Sequence, residues 1–415
     1  MTEKKLVFKI RQFPHLSETF ILAQIITAIK CGYDVRLLIN DVLDFESSKQ
    51  KNLIEKYDID KKIIIENYKI PKNKIIRLFR WSGLLFYNLK NLKQIFRYHK
   101  EYPKFSFTWL YQWDFYRKFD DVDIFHIQYG TNSSLLATLK KIGFKPSLMV
   151  SFHGHDAFFP INGFIANDGY YDNLFKYGDL VIANTPYLAE KITALGCPEE
   201  KLKIIPVGVD TDFFYAKAIS EKRDEILKLI TVGRLDPVKG HSYCIEAVKH
   251  LIKRGVNVTL TIVGEGAERG NLKKMIAENH LENHVFMIGR RSQSEIRQLL
   301  WEHDLYLLTA VALPDGRRET QGLATLEAQA CGLPVLVFDS GGVKYTVENG
   351  KTGFVCREYD VNDVVSNIEF FWKEPIKLKM MGKYATDFIK QNYDQKVIDT
   401  TWEVVYHGLN YKKNG

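Results

Sequence analysis

Leu227-Lys228-Leu229-Ile230-Thr231-Val232-Gly233-Arg234-Leu235-Asp236-Pro237-Val238-Lys239-Gly240 is the stretch from which the fold is read. An apolar, β-branched run ends in a loop bounded by glycines and carrying two cations. The helical-period segment Gly240–Arg254 follows. A strand passing into a helix in this way is the unit of a crossover α/β sheet.

The stretch restarts a pattern that the chain has already run once. Upstream, Leu6–Arg11, Asp34–Ile39, Lys62–Glu66, Asp123–Gln128, Ser147–Phe152, Leu180–Ala183 and Lys203–Ile205 read as strands. Thr19–Lys30, Asn132–Lys141 and Pro186–Leu195 read as helices between them. Downstream, Asn257–Val263, His284–Ile288, Asp304–Thr309, Pro334–Phe338 and Gly353–Cys356 continue the strands. Helices fit at Glu268–Glu278, Gln293–Trp301, Gly322–Ala330 and Asn362–Lys373.

A chain of 415 residues calls for two domains of roughly 200 residues each. The expected division is 1–212, 213–390 and a C-terminal helical segment 391–415. The linker is expected within Val207–Lys228. The helical period of Val397, Trp402, Val405, Tyr406 and Leu409 packs the last segment on one of the domains, with a return to the first left open. The fold class is α/β, two Rossmann-like α/β/α domains with parallel sheets. A cleft is expected between the sheets' C-terminal strand edges, where open parallel sheets bind ligands.

Two elements suggest the chemistry. Arg234 and Lys239 are five residues apart across the Gly233–Gly240 loop, so both can reach one diphosphate, Arg through its fork and Lys as a point charge. Farther on, Arg317-Arg318-Glu319-Thr320-Gln321-Gly322-Leu323-Ala324-Thr325-Leu326-Glu327 follows a strand and opens a helix. Gly322 and Leu323 sit where open backbone N–H groups would meet phosphate or hydroxyl oxygens. Glu319 stands at the mouth, placed for hydroxyls of a transferred sugar. Glu327, about 12 Å further along the helix, is placed for a ribose diol. Each feature also has a plain structural reading, with Glu319 as a helix cap, Glu327 as a solvated side chain and the cations as a solvated loop.

Together these residues resemble the retaining GT-B glycosyltransferases of family 4, over nearly the whole chain. The resemblance rests on Gly233-Arg234 through Lys239, on Glu319 and Glu327 as E-x7-E, and on Glu327-Ala328-Gln329-Ala330-Cys331-Gly332-Leu333-Pro334-Val335. Pro206-Val207-Gly208-Val209-Asp210, Gly341-Gly342 and Thr352-Gly353 match further landmarks of the family. It implies diphosphate contact by the first loop and donor-sugar and ribose contact by the two glutamates. Tyr345 stands where the family usually has Glu, and Thr320 where it commonly has Gly.

In the first domain, the strand Ser147–Phe152 runs into His153-Gly154-His155-Asp156. The family's H-G-x-D places His153 near the reacting sugar's C6 hydroxyl, with His155 as the competing imidazole. Together with Glu319, His153 is the catalytic candidate. After the first strand, Ser17 and Glu18 belong to an S-E-T-F stretch associated with the colanic-acid and exopolysaccharide branch. Ser17 can cap the next helix. Glu18 can bind an acceptor hydroxyl or simply compensate the helix start. Ser17, Glu18, His155 and Asp156 are the acceptor-side candidates.

The expected reaction transfers a hexosyl group from a nucleotide-diphosphate sugar to a glycan or lipid-linked saccharide, with retained anomeric configuration. The leaving diphosphate is stabilised by Arg234 and Lys239. No cofactor and no metal are expected. The D-x-D pairs Asp58/Asp60, Asp121/Asp123 and Asp210/Asp212 read as turn or helix-start features.

The net charge of +8 favours acidic partners. The five cysteines have no C-x-x-C spacing and read as reduced core residues of a cytoplasmic protein. No signal peptide and no apolar run long enough to cross a bilayer is seen. Residues 72–100 carry Lys74, Arg77, Arg80, Lys90, Lys93 and Arg97 with no acidic residue, interleaved with Phe79, Phe86, Leu89 and Phe96. They read either as a surface for the anionic inner face of the cytoplasmic membrane or as a core helix with a basic outer face. No nucleic-acid motif accompanies them.

Two rival functions remain. An NAD(P)-dependent oxidoreductase would use Gly264-Glu265-Gly266-Ala267-Glu268-Arg269-Gly270, whose third glycine is one position late for G-x-G-x-x-G. The other rival is a non-catalytic GT-B partner subunit.

Overall fold

The computed structural model describes residues 4–14, 19–45, 50–101, 108–217 and 226–414. Contacts divide the chain into two units. The first comprises Met1–Ala183, Lys191–Lys203 and Asp399–Gly415, and the second Asn184–Glu190 and Ile204–Ile398.

The first sheet holds β1 (Lys5–Phe13), β2 (Asp34–Val42), β3 (Ile63–Ile65), β4 (Ile124–Gln128), β5 (Ser147–Ser151), β6 (Leu180–Ala183) and β7 (Leu202–Ile204). Their order is β3-β2-β1-β4-β5-β6-β7, and β1 to β6 pair in parallel. The second sheet holds β8 (Leu227–Val232), β9 (Val258–Val263), β10 (Val285–Gly289), β11 (Leu305–Leu308), β12 (Val335–Phe338) and β13 (Gly353–Cys356). Its order is β10-β9-β8-β11-β12-β13, parallel throughout. Every strand expected from the sequence is present.

The strand order reverses at β1/β4 and again at β8/β11, and such a reversal opens a crevice at the carboxyl ends of the strands. The sheets form because their strands are apolar on both faces. Within β12, Leu336 and Phe338 enter one core, while Val335 and Val337 enter the other. All four are fully buried, as the period-2 alternation of a doubly covered strand requires. Each such side chain contributes about 1.5–3 kcal/mol by leaving water.

Four helices escaped the sequence reading: Lys51–Lys56, Trp109–Arg117, Asp172–Tyr177 and Pro375–Asn392. Trp109–Arg117 buries Trp109, Leu110, Tyr111, Trp113, Phe115 and Tyr116, so no polar stripe marks its period. Pro375–Asn392 carries a mid-helix Gly382, where a Cβ would stand 2.1 Å from the carbonyl oxygen of Gly332. That glycine weakens the helical pattern and is required by close packing.

Residues 72–100 form two helices, Lys74–Tyr87 and Leu92–Lys100, joined by a 3₁₀ turn at Leu89–Asn91. The core-helix reading fails for the first of them, because none of its residues is buried. Among the described residues no helix is long and apolar enough to cross a membrane. The last helix, Gln395–Asn414, gives Trp402 and Tyr406 to the first unit's core. There the Tyr406 hydroxyl lies 3.0 Å from His126 Nδ1. All five cysteines are free, and four of them are buried.

Candidate active site

In the second unit, β8 and β11 are neighbours, so the loops that leave their ends meet. The loop after β8 is shaped by Asp236, whose side chain accepts from Val238 N at 3.1 Å and starts the 3₁₀ turn Pro237–Lys239. Gly240 then takes φ +64° with its Cβ position 1.8 Å from the carbonyl oxygen of Thr309. Only glycine lets the helix His241–Lys253 start beneath the end of β11.

This crossing brings Lys239 to Glu319. Lys239 Nζ donates to Glu319 Oε2 at 2.6 Å, and each side chain is only 17% exposed. Glu319 Oε1 accepts from Gly322 N at 3.2 Å. Burial pushes the Glu319 carboxyl up, but Lys239, aided by the Gly322 N–H and by Arg234, outweighs it and holds the group below the usual carboxylate range. Arg234 itself is exposed and has no ion pair among the described residues.

The helix Leu323–Ala330 begins at Gly322, which has φ +82°. Glu327, a turn and more along, makes no side-chain hydrogen bond or ion pair among the described residues, and burial pushes its carboxyl up to about 7. Its protonation therefore changes near neutral pH.

Several residues that the sequence left unassigned hold this arrangement. Cβ atoms at Gly341 and Gly342 would stand 2.2 Å from Glu319 O and 1.8 Å from Thr320 O, so the glycine pair seats the Glu319 backbone. Glu358 accepts from Arg318 Nη1 at 2.6 Å and from Ala312 N at 2.7 Å, tying down the loop that precedes Glu319. Gln321 bonds both the N–H and the carbonyl of Val207, at 2.9 and 2.8 Å, which anchors the Pro206–Asp210 turn. Such partners lie too far apart in sequence to be read from it. Tyr345 lies in the 3₁₀ turn Val343–Thr346, and its carbonyl accepts from the Tyr393 hydroxyl at 2.6 Å.

In the first unit, β5 runs into His153, whose Nε2 donates to Gln128 Oε1 at 2.8 Å. Gln128 ends the neighbouring strand β4 and in turn donates to Gln24 at 2.8 Å. A polar residue closing a buried strand beside the H-G-x-D strand was the available signal for it. The His153 ring packs against Phe20 and Tyr129 at 4.8 and 4.7 Å. Burial, with the nearby His155, pushes its imidazole down to about 3, so His153 is neutral at any working pH. His155 is exposed, with its ring 5.0 Å from that of Tyr129.

Asp156 requires a correction as an acceptor-side candidate. It is fully buried, and its carboxylate accepts from Gly130 N, His153 N and Gly154 N at 2.8, 3.1 and 2.9 Å. It holds the histidine loop from inside. Ser17 and Glu18 lie outside the described residues.

Five of the six D-x-D aspartates accept from a lysine or a backbone N–H. Asp210 accepts from the N–H groups of Asp212 and Phe213, Asp212 pairs with Lys396, and Asp58 and Asp121 pair with lysines. Among the described residues no cluster of three or more His, Cys, Asp or Glu side chains is grouped as for a metal. The glycines that suggested a dinucleotide loop serve packing: a Cβ at Gly264 would stand 1.8 Å from Gly233 O, and one at Gly266 2.3 Å from Leu235 O. Their open sides face the Gly233–Leu235 backbone.

Two family models match the chain: "Glycosyl transferases group 1" over residues 213–388 and "Glycosyltransferase Family 4" over residues 61–213. Among curated relatives, the amylovoran biosynthesis glycosyltransferase AmsK of Erwinia amylovora is 28% identical over 367 residues, covering 86% of this chain and 88% of that one. A protein of Escherichia coli (strain K12) that carries the name of a colanic acid biosynthesis glycosyltransferase, WcaL, is 29% identical over 282 residues, 67% of this chain and 68% of its own. Among solved structures, Anabaena Alr3699/HepE in complex with UDP superposes with a TM-score of 0.72 at 18% identity, covering 97% of this chain and all of that one. That likeness concerns the fold, a GT-B arrangement of two parallel-sheet α/β domains.

Proposed function

The chain belongs to the family 4, group 1 glycosyltransferases, and within that family we propose that it moves a hexosyl group from a nucleotide-diphosphate sugar to a glycan or lipid-linked saccharide in surface polysaccharide synthesis. The observation that carries this reading is the Lys239–Glu319 pair, at 2.6 Å, beside an Arg234 with no ion pair among the described residues. Two cations and a carboxylate gathered at the ends of β8 and β11 suit a sugar diphosphate, which needs positive charge at its phosphates and an acceptor for its hydroxyls. The names of AmsK and WcaL support the polysaccharide assignment, and Anabaena HepE, solved with UDP and with UDP-glucose, supports a nucleotide-sugar donor.

In the proposed reaction the bond between the sugar's anomeric carbon and the diphosphate oxygen breaks, and the acceptor hydroxyl oxygen bonds to the same carbon on the same face. The acceptor's proton passes to the leaving phosphate. Arg234 and Lys239 neutralise the charge that develops there, with no metal and no cofactor in the scheme. Gly233, Gly322 and Leu323 present backbone to the donor, Glu319 takes hydroxyls of the moving sugar, and Glu327 takes the ribose diol. His153, neutral and held by Gln128, faces the sugar's C6 hydroxyl as a hydrogen-bonding partner.

Residues 72–100 rest, in this reading, on the anionic inner face of the cytoplasmic membrane, with no nucleic-acid partner. Phe79, Phe86 and Tyr87 support it, being 74%, 77% and 83% exposed on a segment that has no acidic residue.

Incubation with UDP-, GDP- and ADP-sugars, with and without saccharide acceptors, tests the reaction. One nucleoside diphosphate should be released with matching glycoside formation. Absence of release with every donor, in protein that is folded and binds a nucleotide sugar, would leave only the partner-subunit reading.

A further inference from the structure

The helix Lys74–Tyr87 is anchored at only a few points. Asn73 caps it through Ile75 N and Ile76 N, the Tyr111 hydroxyl donates to Arg77 O at 2.8 Å, and Trp81 meets Trp109 edge-on. Its packing is against the helix Trp109–Arg117. A surface helix ordinarily buries an apolar stripe, and this one buries no residue.

A cleft of about 930 Å³ lies along the helix. The helix contributes Arg80, Gly83 and Leu84, whose i, i+3, i+4 spacing is one helical face. Val7, Ile64, Phe115 and Phe119 add apolar lining. Two ion pairs in the lining, Lys5–Asp121 and Arg36–Asp34, neutralise themselves. Lys69, Arg80 and Lys118 have no ion pair among the described residues, and with Asp114 as the one further carboxylate of the lining they leave the cleft a positive excess.

Gly83 is the informative residue. Glycine within a helix costs about 1 kcal/mol relative to alanine, so its use asks for a reason. Among the described residues, no atom beyond its chain neighbours and its own helix backbone lies within 4 Å of the position a Cβ would take, and its φ is not in the left-handed region. Neither packing nor backbone conformation requires it. Gly83 is exposed at the edge of the cleft, and bare backbone there lets a ligand approach closely.

We propose that this cleft binds a bilayer phospholipid, its hydrocarbon chain against the apolar wall and its phosphate beside Arg80, Lys69 and Lys118. The proposal rests on the membrane reading of residues 72–100 only in that the bilayer is the source of the ligand. It adds a binding site beside the exposed rings of the helix, distinct from the donor residues of the second unit. A pocket of this size with mostly apolar walls and a few charged groups suits a chain with an anionic head.

Dodecyl phosphate below its micelle concentration is the probe, measured by titration calorimetry on the full chain. One molecule should bind per chain, with dodecyl maltoside about tenfold weaker and inorganic phosphate unable to displace it at equal concentration. Gly83→Phe puts a ring at a cleft position where a Cβ meets no neighbour, and it favours the helix. It should fold with an unchanged or higher Tm, lose dodecyl phosphate affinity about tenfold, and leave nucleoside diphosphate release unchanged. Arg80→Glu should weaken binding similarly. Unsaturable binding, a folded Gly83→Phe that binds as the parent does, equal affinity for the maltoside, or full displacement by inorganic phosphate would each overturn the site. Phe79→Ser with Phe86→Ser tests the outer face separately: it should abolish flotation with phosphatidylglycerol vesicles while dodecyl phosphate still binds. Loss of vesicle binding there, set beside retained dodecyl phosphate binding, distinguishes the two readings.

Discussion

After β8 and β11 the chain sets Lys239 against Glu319 at 2.6 Å and leaves Arg234 exposed, so three charges stand at the strand ends of the second unit. After β5 it does the reverse. His153 is half-buried, bonded to Gln128 and kept neutral, and the nearby carboxylate of Asp156 is turned inward onto three backbone N–H groups. Two parallel-sheet edges of the same kind thus carry different electrostatics. The second unit suits a group that brings negative charge, and the first offers a neutral polar contact. Charge is spent where a diphosphate would leave, and avoided where a hydroxyl would only need orientation.

The sharpest way to break this contrast is to remove a cation. Arg234→Ala or Lys239→Ala should lower kcat/KM by about 10²–10³ if each stabilises the leaving group as an oxyanion donor does. Lys239→Ala should also raise the Glu319 carboxyl, since the largest opposing influence on its burial is removed. Unchanged steady-state kinetics would take either residue out of the site.

On the neutral side, His153→Ala should lower turnover about tenfold and His155→Ala by less than about threefold, the loss of one buried hydrogen bond against that of an exposed ring. The opposite order would move the role to His155. His153 also makes a stability prediction. Its folded value, about 3, is depressed, so the unfolded chain takes up a proton there first as the pH falls below about 6.5. Its contribution is present above that pH and is lost at about 1.4 kcal/mol per pH unit below it. His153→Gln should therefore lose less stability between about pH 7 and 5 in denaturant titrations than the parent does.

A smaller effect is expected at Glu327. Its carboxyl, at about 7, accepts from a ribose diol best when ionised, so the donor KM should fall severalfold, by about three to five times, as pH rises from about 6 to 8. Glu327→Gln should flatten that dependence. A profile shared by parent and variant would put the titration elsewhere. The sign for folding is opposite: the folded state keeps a proton that the unfolded chain releases near 4.3, so this group's contribution to stability declines as pH climbs toward 7.

The strands were legible because Leu227–Val232 or Val335–Phe338 are apolar on both faces and bounded by turn residues, a pattern that few other structures produce. The donor candidates were legible because a strand, a glycine and two cations lie within one short loop. What the sequence did not yield are pairings across long separations. Nothing near Lys239 announces Glu319, eighty residues on, and Glu358 is silent until the loop 312–320 closes on it. Asp156 misled because an acidic residue beside two histidines reads as a site, whereas its surroundings of backbone N–H groups depend on the fold of β4 and β5. The helix Lys74–Tyr87 had two readings because its periodicity is equal on either; its exposure removes the core-helix one.

The last helix carries a practical consequence. Its residues up to Ile398 belong with the second unit, and those from Asp399 onward with the first, where Trp402 and Tyr406 close over His126. No single scission therefore yields two intact halves. A fragment that stops before Asp399 would unwrap an aromatic lid from a histidine in the opposite half of the gene. Expressing the first half alone should call for the tail supplied as a separate peptide.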